Sequence, residues 1–342
     1  MIIFMNSIPN NIKICVVYTH AKLGDLIWQL PYIKAISEHH QKKIDLIVRE
    51  KTQAKDIFKD LKHIKSITYN EFRKGFYYWV DIYKLTKFFR YNKYDYVYIL
   101  DKVNKPAIAA RLSGTKNIIG PGIDNQKFWL TSKNFLENTD KNLNYSKQSQ
   151  KFLSINNIKI KNIYPVLEFN ANNLINHKLK FKDDLKIIAF GVDSSEYYKI
   201  WYEENFIELA DKLFKLGLFD YAYLICGADK SHLAKKIIQT SGKDYFIDCS
   251  KKNLSAITMI LKNVDFFIGN NAGPLNLAAA LGVKTFGLIA NDPISELKFS
   301  KIIPITPNNY IDNIWNRDRE GMKKLKVDKV LKVLSENKII KS

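Results

Sequence analysis

Short apolar runs alternate with amphipathic segments along the first half of the chain, and this alternation constrains the fold most. A run of four to eight apolar residues is typical of a buried strand, whereas apolar residues three and four apart indicate a helix. The predicted strands are Ile12–Tyr18, Ile44–Arg49, Ile64–Tyr69, Tyr96–Leu100 and Asn117–Gly120, and the predicted helices are Asp25–His39, Thr52–Leu61, Trp79–Tyr91 and Pro106–Leu112. Such alternation predicts a parallel sheet with helices on both faces.

The same alternation of predicted strands and helices begins again after a polar segment rich in Asn and Lys. Residues 134–162 contain one predicted helix, Tyr145–Ile155, and Tyr164–Asn173 is a predicted linker. The strands predicted after it are Lys186–Phe190, Tyr221–Cys226, Tyr245–Asp248, Phe266–Gly269 and Thr285–Leu288, and the helices are Trp201–Leu216, His232–Thr240, Ser255–Leu261, Pro274–Leu281 and Lys326–Ser335. Two doubly wound α/β halves facing across a cleft are the simplest architecture. Ligands of such folds bind beyond the carboxyl ends of the strands.

The net charge of the chain limits the classes of partner that it favours. The formal net charge is +20, and the basic residues are 48 Lys and six Arg. Such a field favours anionic partners: nucleic acid, an acidic membrane surface or a phosphorylated substrate. The abundance of Lys, Asn and Ile is equally what an AT-rich genome produces. The shortage of Arg argues against nucleic-acid readout, which relies on bidentate Arg contacts.

The spacing of the cysteines and the hydropathy of the chain indicate the cellular compartment of the protein. Cys15, Cys226 and Cys249 are widely spaced, and no CxxC or Cys/His cluster occurs. We therefore expect buried, reduced thiols and no structural zinc. The first residues resemble no secretory signal, and no window of about 18 residues is apolar enough to span a membrane. The sequence predicts a cytoplasmic protein that can contact a membrane surface.

The turn after the first strand contains a candidate catalytic carboxylate. Gly24 permits the turn, and Asp25 follows at the start of the helix. In one interpretation Asp25 simply caps that helix. In the other, its carboxylate takes a proton from a hydroxyl nucleophile, and a positioned general base raises a rate by roughly 10²–10⁴. Pro31 predicts a kink or break in the helix.

Two turns in the second half carry groups that suit a nucleotide. Gly191 ends a strand, Ser194 and Ser195 follow it, and Lys199 precedes the next helix. A cation and small hydroxyls at a strand end suit a phosphate leaving group, although Lys199 can equally be one of many solvated lysines. In the turn Cys226–His232, Asp229 can meet a ribose hydroxyl or merely be solvated.

The stretch Asp265–Ile289 reads as a strand, a tight turn, a short helix and another strand. Pro274 at the first position of the predicted helix and Gly282 just past its end mark a well-defined helix. The N–H groups of its first turn can bind an anion, although a plain strand-to-helix connection has the same pattern. The chain contains no GxGxxG after the first strand, and no Walker A, HExxH, GxSxG or strand-end Asp-x-Asp motif.

Together these stretches resemble glycosyltransferase family 9, the bacterial heptosyltransferases of lipopolysaccharide core assembly. The resemblance rests on Gly24, Asp25 and Pro31 in the first turn and on the stretch Tyr94–Pro121, which has a strand ending in Asp before a small-residue helix. It continues through Gly191, Lys199 and Trp201, and through Asn271–Gly282, which matches the family's Asp-Thr-Gly-Pro-x-His motif followed by an Ala-rich helix.

The resemblance implies a GT-B fold of two Rossmann-like domains, inversion at the anomeric carbon and no metal. Residues 1–168 would bind a lipid acceptor, residues 174–320 a nucleotide sugar such as ADP-heptose, and residues 321–342 would form a helix packing back on the first domain. It further implies that Asp25 is the base, that Lys199 stabilises the diphosphate and that Asp229 contacts ribose. The implied donor set is Gly191, Ser194, Ser195, Asp229, Asn271, Ala272, Gly273, Pro274, Leu275 and Asn276, and the implied acceptor set is Gly24, Lys102, Lys105 and Arg111.

The chain departs from the family motif at three positions. Asn271, Ala272 and Asn276 stand where the family has Asp, Thr and His. Backbone N–H donation to a diphosphate survives these changes, and an Asn can still cap the helix. A carboxylate that could hold sugar hydroxyls is lost, so a hexose or N-acetylhexosamine donor is an alternative to heptose. An oxidoreductase and a basic nucleic-acid-binding protein are the alternatives from other classes.

Overall fold

The structure, a computed structural model, describes residues 12–168, 185–312 and 317–340. The chain divides into two compact units, Met1–Ile163 and Tyr164–Ser342. Each unit is built around one parallel sheet. Residues 169–173 of the predicted linker and residues 1–11, where no secretory signal was predicted, lie outside the described residues.

The first unit contains a five-stranded sheet in the order β3-β2-β1-β4-β5, and all of its pairings are parallel. The strands are β1 (Ile14–Val17), β2 (Ile44–Val48), β3 (Ile64–Tyr69), β4 (Tyr96–Ile99) and β5 (Asn117–Ile119), and the helices are α1 (Leu23–Ile27), α2 (Leu30–His40), α3 (Ala54–Phe58), α4 (Tyr77–Asn92), α5 (Asn104–Ser113) and α6 (Tyr145–Ile155). Short 3₁₀ turns lie at Glu50–Thr52, Asp124–Trp129 and Asn138–Asn142. The parallel sheet predicted from the alternation is confirmed.

The second unit contains a six-stranded parallel sheet in the order β11-β10-β9-β6-β7-β8. The strands are β6 (Ile187–Gly191), β7 (Tyr221–Ile225), β8 (Phe246–Asp248), β9 (Phe266–Asn270), β10 (Lys284–Leu288) and β11 (Ile302–Ile305), and the helices are α7 (Glu203–Lys215), α8 (Ser231–Ser241), α9 (Leu254–Lys262), α10 (Gly273–Ala280), α11 (Glu320–Lys324) and α12 (Val327–Glu336). Short 3₁₀ turns lie at Tyr197–Lys199, Ala228–Lys230 and Ile294–Phe299. Strands β6 and β9 are buried throughout and β7 and β10 at all but their first residue, as expected when helices cover both faces of a sheet, whereas β8 and β11 at the two edges are partly exposed.

The strand order reverses at one place in each sheet. In the first unit β1 lies beside β4, so that Val17 pairs with Ile99. In the second unit β6 lies beside β9, so that Gly191 pairs with Gly269. Loops that leave two such neighbouring strands diverge to opposite faces of the sheet and leave a crevice for ligands. The loops after Val17 and Ile99, and after Gly191 and Asn270, are therefore the first places to look for a site.

Several local predictions need correction. The predicted helix Thr52–Leu61 is a 3₁₀ turn followed by the short helix α3, because Gln53 has a left-handed backbone (φ 51°) that interrupts it. Strand β11 was not predicted, and its sequence Ile-Ile-Pro-Ile contains Pro304. A proline is tolerated there because β11 is the edge strand of the sheet. Helix α11 was not predicted either.

The last helix belongs to the second unit. Val330 and Leu334 of α12 are fully buried in a core that also contains Phe206 and Leu213 of α7. The apolar face of α12 is therefore buried within its own unit, and the expected packing of this helix on the first domain stays a prediction. The three cysteines are buried and unbridged, as predicted. No helix of the described residues is long and apolar enough to cross a membrane.

Candidate active site

In the first unit a buried carboxylate organises the crevice between β1 and β4. Asp101 follows β4 and is fully buried. Its Oδ2 accepts the N–H of Thr19 at 2.6 Å and its Oδ1 accepts the N–H of Val103 at 3.1 Å, so it ties together the loops leaving both strands. Burial raises the pKa of Asp101, although His20 and these N–H groups favour the charged form.

Asp25 lies in the first turn of α1, after β1, and is half-buried. After burial itself, the negative charge of Asp25 is the next largest influence raising the pKa of the Tyr18 phenol, and it also raises that of Tyr145. The His20 ring lies 5.2 Å from the Tyr18 ring and 4.1 Å from the Tyr145 ring, centroid to centroid. Ring contacts and electrostatic interactions thus connect five residues near the carboxyl ends of β1 and β4. We call them the first-unit cluster: Tyr18, His20, Asp25, Asp101 and Tyr145.

The structure removes the simplest alternative for Asp25. The N-cap of α1 is Lys22, three residues earlier, so the interpretation of Asp25 as the capping residue is wrong. An acidic side chain in the first turn still interacts favourably with the helix dipole. Helix α1 ends at Ile27 and α2 begins at Leu30 with Pro31 in its first turn, which confirms the predicted break.

Arg49 is a further residue of this crevice that the sequence did not reveal. Its Nε donates to the carbonyl of Thr19 at 2.5 Å, and an Nη donates to the carbonyl of Phe72 at 2.8 Å. Arg49 therefore fixes the loop after β1 against the loop after β3. No local motif predicts this, since the contact depends on which strands are neighbours.

The four predicted acceptor residues fall in different environments. Gly24 is buried within α1, Lys102 is half-buried directly after Asp101, and Arg111 is exposed on α5. Lys105 is only 1% exposed. Its ammonium lies 3.0 Å from Asp81 of α4 and donates to the carbonyl of Arg73 at 2.5 Å. Lys105 therefore ties α5 to α4, which argues against its predicted contact with an acceptor.

In the second unit Lys199 lies between two carboxylates. Its Nζ is 2.8 Å from Asp292 and 2.6 Å from Glu196. Burial alone would lower the pKa of Lys199, but the two carboxylates outweigh it, and the pKa lies above its ordinary value. The interpretation of Lys199 as a solvated lysine is wrong. Two of the three N–H donors of its ammonium are used by the carboxylates.

Asp292 is the residue that sequence reasoning missed. It is buried in the segment after β10, and the amide of Asn271 donates to its Oδ2 at 2.7 Å. The neighbouring Asn270 accepts the N–H of Trp201 at 3.0 Å. Lys199, Asn270, Asn271 and Asp292 therefore form one group, the strand-end cluster, at the carboxyl ends of β9 and β10.

Two polar atoms of the strand-end cluster are left without partners. Within the described ranges, Asn270 Nδ2 and Asp292 Oδ1 are buried and make no hydrogen bond. Buried polar groups are nearly always paired, because an unpaired one costs roughly 1–3 kcal/mol. An orphan donor and an orphan acceptor at the ends of adjacent strands favour a polar ligand at this point.

Helix α10 begins beside this cluster. Its N-cap is Ala272, which provides no side-chain hydrogen bond, and Pro274 is in the first turn. The predicted capping role of Asn271 is wrong, since its amide is directed to Asp292 instead. Asn276 donates from its amide to the carbonyl of Ala272 at 3.2 Å, and Leu275 is buried. The first-turn N–H groups of α10 thus have no side-chain cap from the N-cap residue.

The other predicted donor residues lie along the neighbouring strand ends. A Cβ on Gly191 would be 2.6 Å from the Phe267 ring, so close packing against Phe267 explains the glycine at this position without any ligand. Ser194 is buried and accepts the N–H of Glu196, whereas Ser195 is exposed. Asp229 is exposed just after β7. Its carboxylate lies so close to Gly227 that a Cβ added to this glycine would be 2.6 Å from Asp229 Oδ1.

The structure thus joins some predicted residues and separates others. Lys199, Asn271 and the start of α10 share one cluster, whereas Asp229 lies at the next pair of strand ends, beyond β6. Asp25 belongs to the first unit and the whole donor set to the second. No group of three or more His, Cys, Asp or Glu residues within the described part of the chain has an arrangement that could hold a metal ion.

The comparison with protein families decides the identity. The family model of glycosyltransferase family 9 (heptosyltransferase) matches residues 82–334.

The chain belongs to glycosyltransferase family 9.

The match includes Lys199 and the strand-end cluster, while Asp25 lies before its first residue. Family membership makes the protein a glycosyltransferase and removes the oxidoreductase and nucleic-acid-binding alternatives. A sequence comparison with curated proteins finds no match.

Solved structures show the same fold. E. coli ADP-heptose LPS heptosyltransferase II matches with a TM-score of 0.74 at 15% identity, over 95% of this chain and 98% of that one. E. coli heptosyltransferase WaaC, determined with ADP, matches with a TM-score of 0.74 at 16% identity, over 95% and 100%. A family 9 glycosyltransferase from Veillonella parvula matches with a TM-score of 0.73 at 15% identity, over 95% and 96%. The predicted GT-B class, with two Rossmann-like α/β domains, is confirmed.

Proposed function

We propose that this family 9 enzyme is an inverting, metal-independent transferase. It moves a sugar, with heptose as the first candidate, from a nucleoside diphosphate to the lipid A–Kdo region of lipopolysaccharide at the cytoplasmic face of the inner membrane. The observation that carries the proposal is the strand-end cluster: a half-buried lysine, two orphan polar atoms and a helix N-terminus meet beside the topological switch point of the second unit. The E. coli heptosyltransferases of the same fold were determined with ADP and with an ADP-heptose analogue, which supports this class of donor.

In the proposed reaction Asp25 removes the proton of the acceptor hydroxyl. The oxygen attacks the anomeric carbon, the bond from that carbon to the diphosphate oxygen breaks, and the configuration inverts in a single displacement. Lys199 donates its third N–H to the departing diphosphate, and the first-turn N–H groups of α10 bind the phosphate oxygens. The carboxylates beside Lys199 keep it protonated, so the positive charge is in place throughout.

Asp292 changes the interpretation of the two asparagines. The loss of the family aspartate at Asn271 suggested that no carboxylate remained to hold the sugar. Asp292 provides one from the next strand, and its Oδ1 can accept a sugar hydroxyl. Asn271 then positions this carboxylate through its amide, which an aspartate at 271 could not do while ionised. We propose that Asp292 contacts the donor sugar and that Asn271 is a positioning residue.

A donor and acceptor screen tests the proposed function. Purified protein is incubated with ADP-heptose, UDP-glucose or UDP-N-acetylglucosamine, each with and without a Kdo-containing lipid A acceptor. The expected result is a nucleoside diphosphate product and an acceptor heavier by one sugar, both read by mass spectrometry. A hexose transferred in preference to heptose supports the second candidate, a family member with a changed donor, which the departures at Asn271 and Asn276 favour. Absence of transfer with every donor contradicts the proposal.

A charge exchange tests the pairing of Asn271 with Asp292. Asn271→Asp places two carboxylates at hydrogen-bond distance, so one of them must be protonated or move away. We expect about tenfold weaker donor binding or turnover, which corresponds to about 1.4 kcal/mol. Asp292→Asn alone should also be impaired. The double variant Asn271→Asp/Asp292→Asn restores one amide and one carboxylate, and we expect it to recover most of the loss measured by titration calorimetry. Additive losses in the double variant would contradict the pairing.

A further inference from the structure

The outer face of helix α4 carries an unusual row of exposed aromatic side chains. Phe76 is 84% exposed, Trp79 67% and Tyr83 59%. Positions three and four apart lie on one side of a helix, and Phe76, directly before α4, already has helical backbone angles. These residues, the aromatic stripe, therefore line one side of the first two turns.

The aromatic stripe is not needed to build the core. Helix α4 already buries its opposite side through Ile82, Leu85 and Phe89. The buried ion pair between Asp81 and Lys105 also fixes it to α5. A surface helix of a globular protein normally presents polar residues on the side away from the core. Large exposed apolar patches usually mark interaction surfaces.

Basic residues surround the aromatic stripe. The exposed charged residues from 71 to 93 are one acid, Glu71, and the bases Lys74, Lys84, Lys87, Arg90 and Lys93. The other acid of this range, Asp81, is buried and paired with Arg73 and Lys105. The Lys87 ammonium lies 4.6 Å from the centroid of the Tyr83 ring, so a cation accompanies the stripe directly. The patch is apolar at its centre and positive around it.

This combination identifies the chemistry of the partner. Trp and Tyr rings prefer the boundary between headgroups and acyl chains, while Lys and Arg side chains extend toward anionic headgroups. Each Lys or Arg near an anionic surface strengthens binding roughly fivefold. A nucleic acid would be contacted by stacked aromatics together with Arg, and this patch is mainly Lys. A second copy of the chain would bring the same positive charge to the interface, which opposes self-association.

We propose that the aromatic stripe and its flanking lysines dock the protein on an anionic lipid bilayer. The three rings enter the headgroup boundary and the lysines bind anionic headgroups. The docking gains its biological meaning from the proposed glycolipid acceptor, but it concerns a surface outside the strand-end cluster and the first-unit cluster. Membrane binding and sugar transfer can therefore be measured separately.

Vesicle binding by the full-length protein tests this proposal. Vesicles of phosphatidylethanolamine with 30% phosphatidylglycerol are compared with phosphatidylcholine vesicles, using sedimentation and no acceptor lipid. We expect binding to the anionic vesicles only, and at least about tenfold weaker binding by the triple variant Phe76→Ser/Trp79→Ser/Tyr83→Ser. The matched control is Phe128→Ser, because Phe128 is 71% exposed in the same unit and also has a lysine near its ring. This control should bind like wild type.

A second readout does not depend on the triple variant folding. Vesicles containing brominated lipids quench tryptophans at the headgroup boundary, and we expect quenching in wild type that is largely lost in Trp79→Phe while its vesicle binding persists. Unchanged quenching in Trp79→Phe, equal binding to neutral vesicles, or wild-type binding by a folded triple variant would each overturn the proposal. A wild-type dimer that the triple variant breaks would overturn it in favour of a second copy.

Failure of the docking proposal can be told apart from failure of the proposed function. Transfer to a water-soluble acceptor without acyl chains should be the same in wild type and the triple variant. Lost vesicle binding with intact soluble transfer supports docking. Vesicle binding by a protein that transfers no sugar to any acceptor would leave the docking surface in place and contradict the function alone.

Discussion

Asp25→Asn is expected to lower turnover with saturating donor and acceptor by about 10²–10⁴-fold, the range that a positioned general base contributes. Asparagine is nearly the same size but cannot accept the proton of the attacking hydroxyl. Asp25 lies in the first unit and the proposed donor residues lie in the second. The dissociation constant for the donor should therefore stay within about threefold of wild type, so the loss falls on turnover.

A second aspartate provides the matched control for this variant. Asp56 is also in the first turn of a five-residue helix of the first unit, and it is exposed. Asp56→Asn removes the same charge from the same helical position and should leave turnover unchanged. Initial rates by a coupled assay of nucleoside diphosphate release compare the two variants. Near wild-type turnover by Asp25→Asn would remove Asp25 from the reaction.

Lys199→Met is expected to lower turnover by about 10²–10³-fold, the cost of removing one donor that stabilises developing charge. The change removes the proposed partner of the departing diphosphate. It also leaves Glu196 and the buried Asp292 without their shared cation, and breaking a buried ion pair is strongly destabilising. Weaker donor binding and a lower thermal midpoint should therefore accompany the loss of rate.

Lys212 provides the comparison for Lys199. It also lies between two carboxylates, 2.8 Å from Glu208 and 3.1 Å from Asp328, but on the more exposed surface of α7. Exposed ion pairs contribute little, so Lys212→Met should leave rate and donor binding unchanged. Circular dichroism establishes whether each variant is folded. A folded Lys199→Met protein with turnover within about threefold of wild type would contradict the proposed role of Lys199.

The two parallel sheets were predictable because periodicity reports burial directly. Strands covered on both faces must be apolar throughout, and in a helix packed on a sheet the apolar residues must recur with a period near 3.6. Strand β3 and helix α6 were predicted with the bounds that the structure has. Periodicity did not reveal the structure where burial was partial, as at the edge strand β11 with its proline, or where a single backbone angle interrupted a helix, as at Gln53.

The candidate site was predictable only where one loop contains it. Gly24 and Asp25, or Asn271 to Asn276, lie together in the chain, and a local pattern identifies them. Asp292 and Arg49 reach the site because their strands are neighbours of other strands in the sheet, and a local sequence pattern does not reveal the strand order. The burial of Lys105 was equally invisible, because its partner Asp81 lies 24 positions earlier on another helix. The roles of Asp25, Asp229 and the remaining donor residues stay predictions.

The anomeric configuration of the product shows directly whether the enzyme inverts without a metal. The protein is incubated with its preferred nucleotide sugar and a soluble Kdo-containing acceptor in excess EDTA, and the new glycosidic linkage is assigned by NMR. We expect transfer at an undiminished rate and an anomeric configuration opposite to that of the donor. A product that keeps the donor configuration, or transfer that stops when divalent metal is removed, would contradict the inverting, metal-independent mechanism.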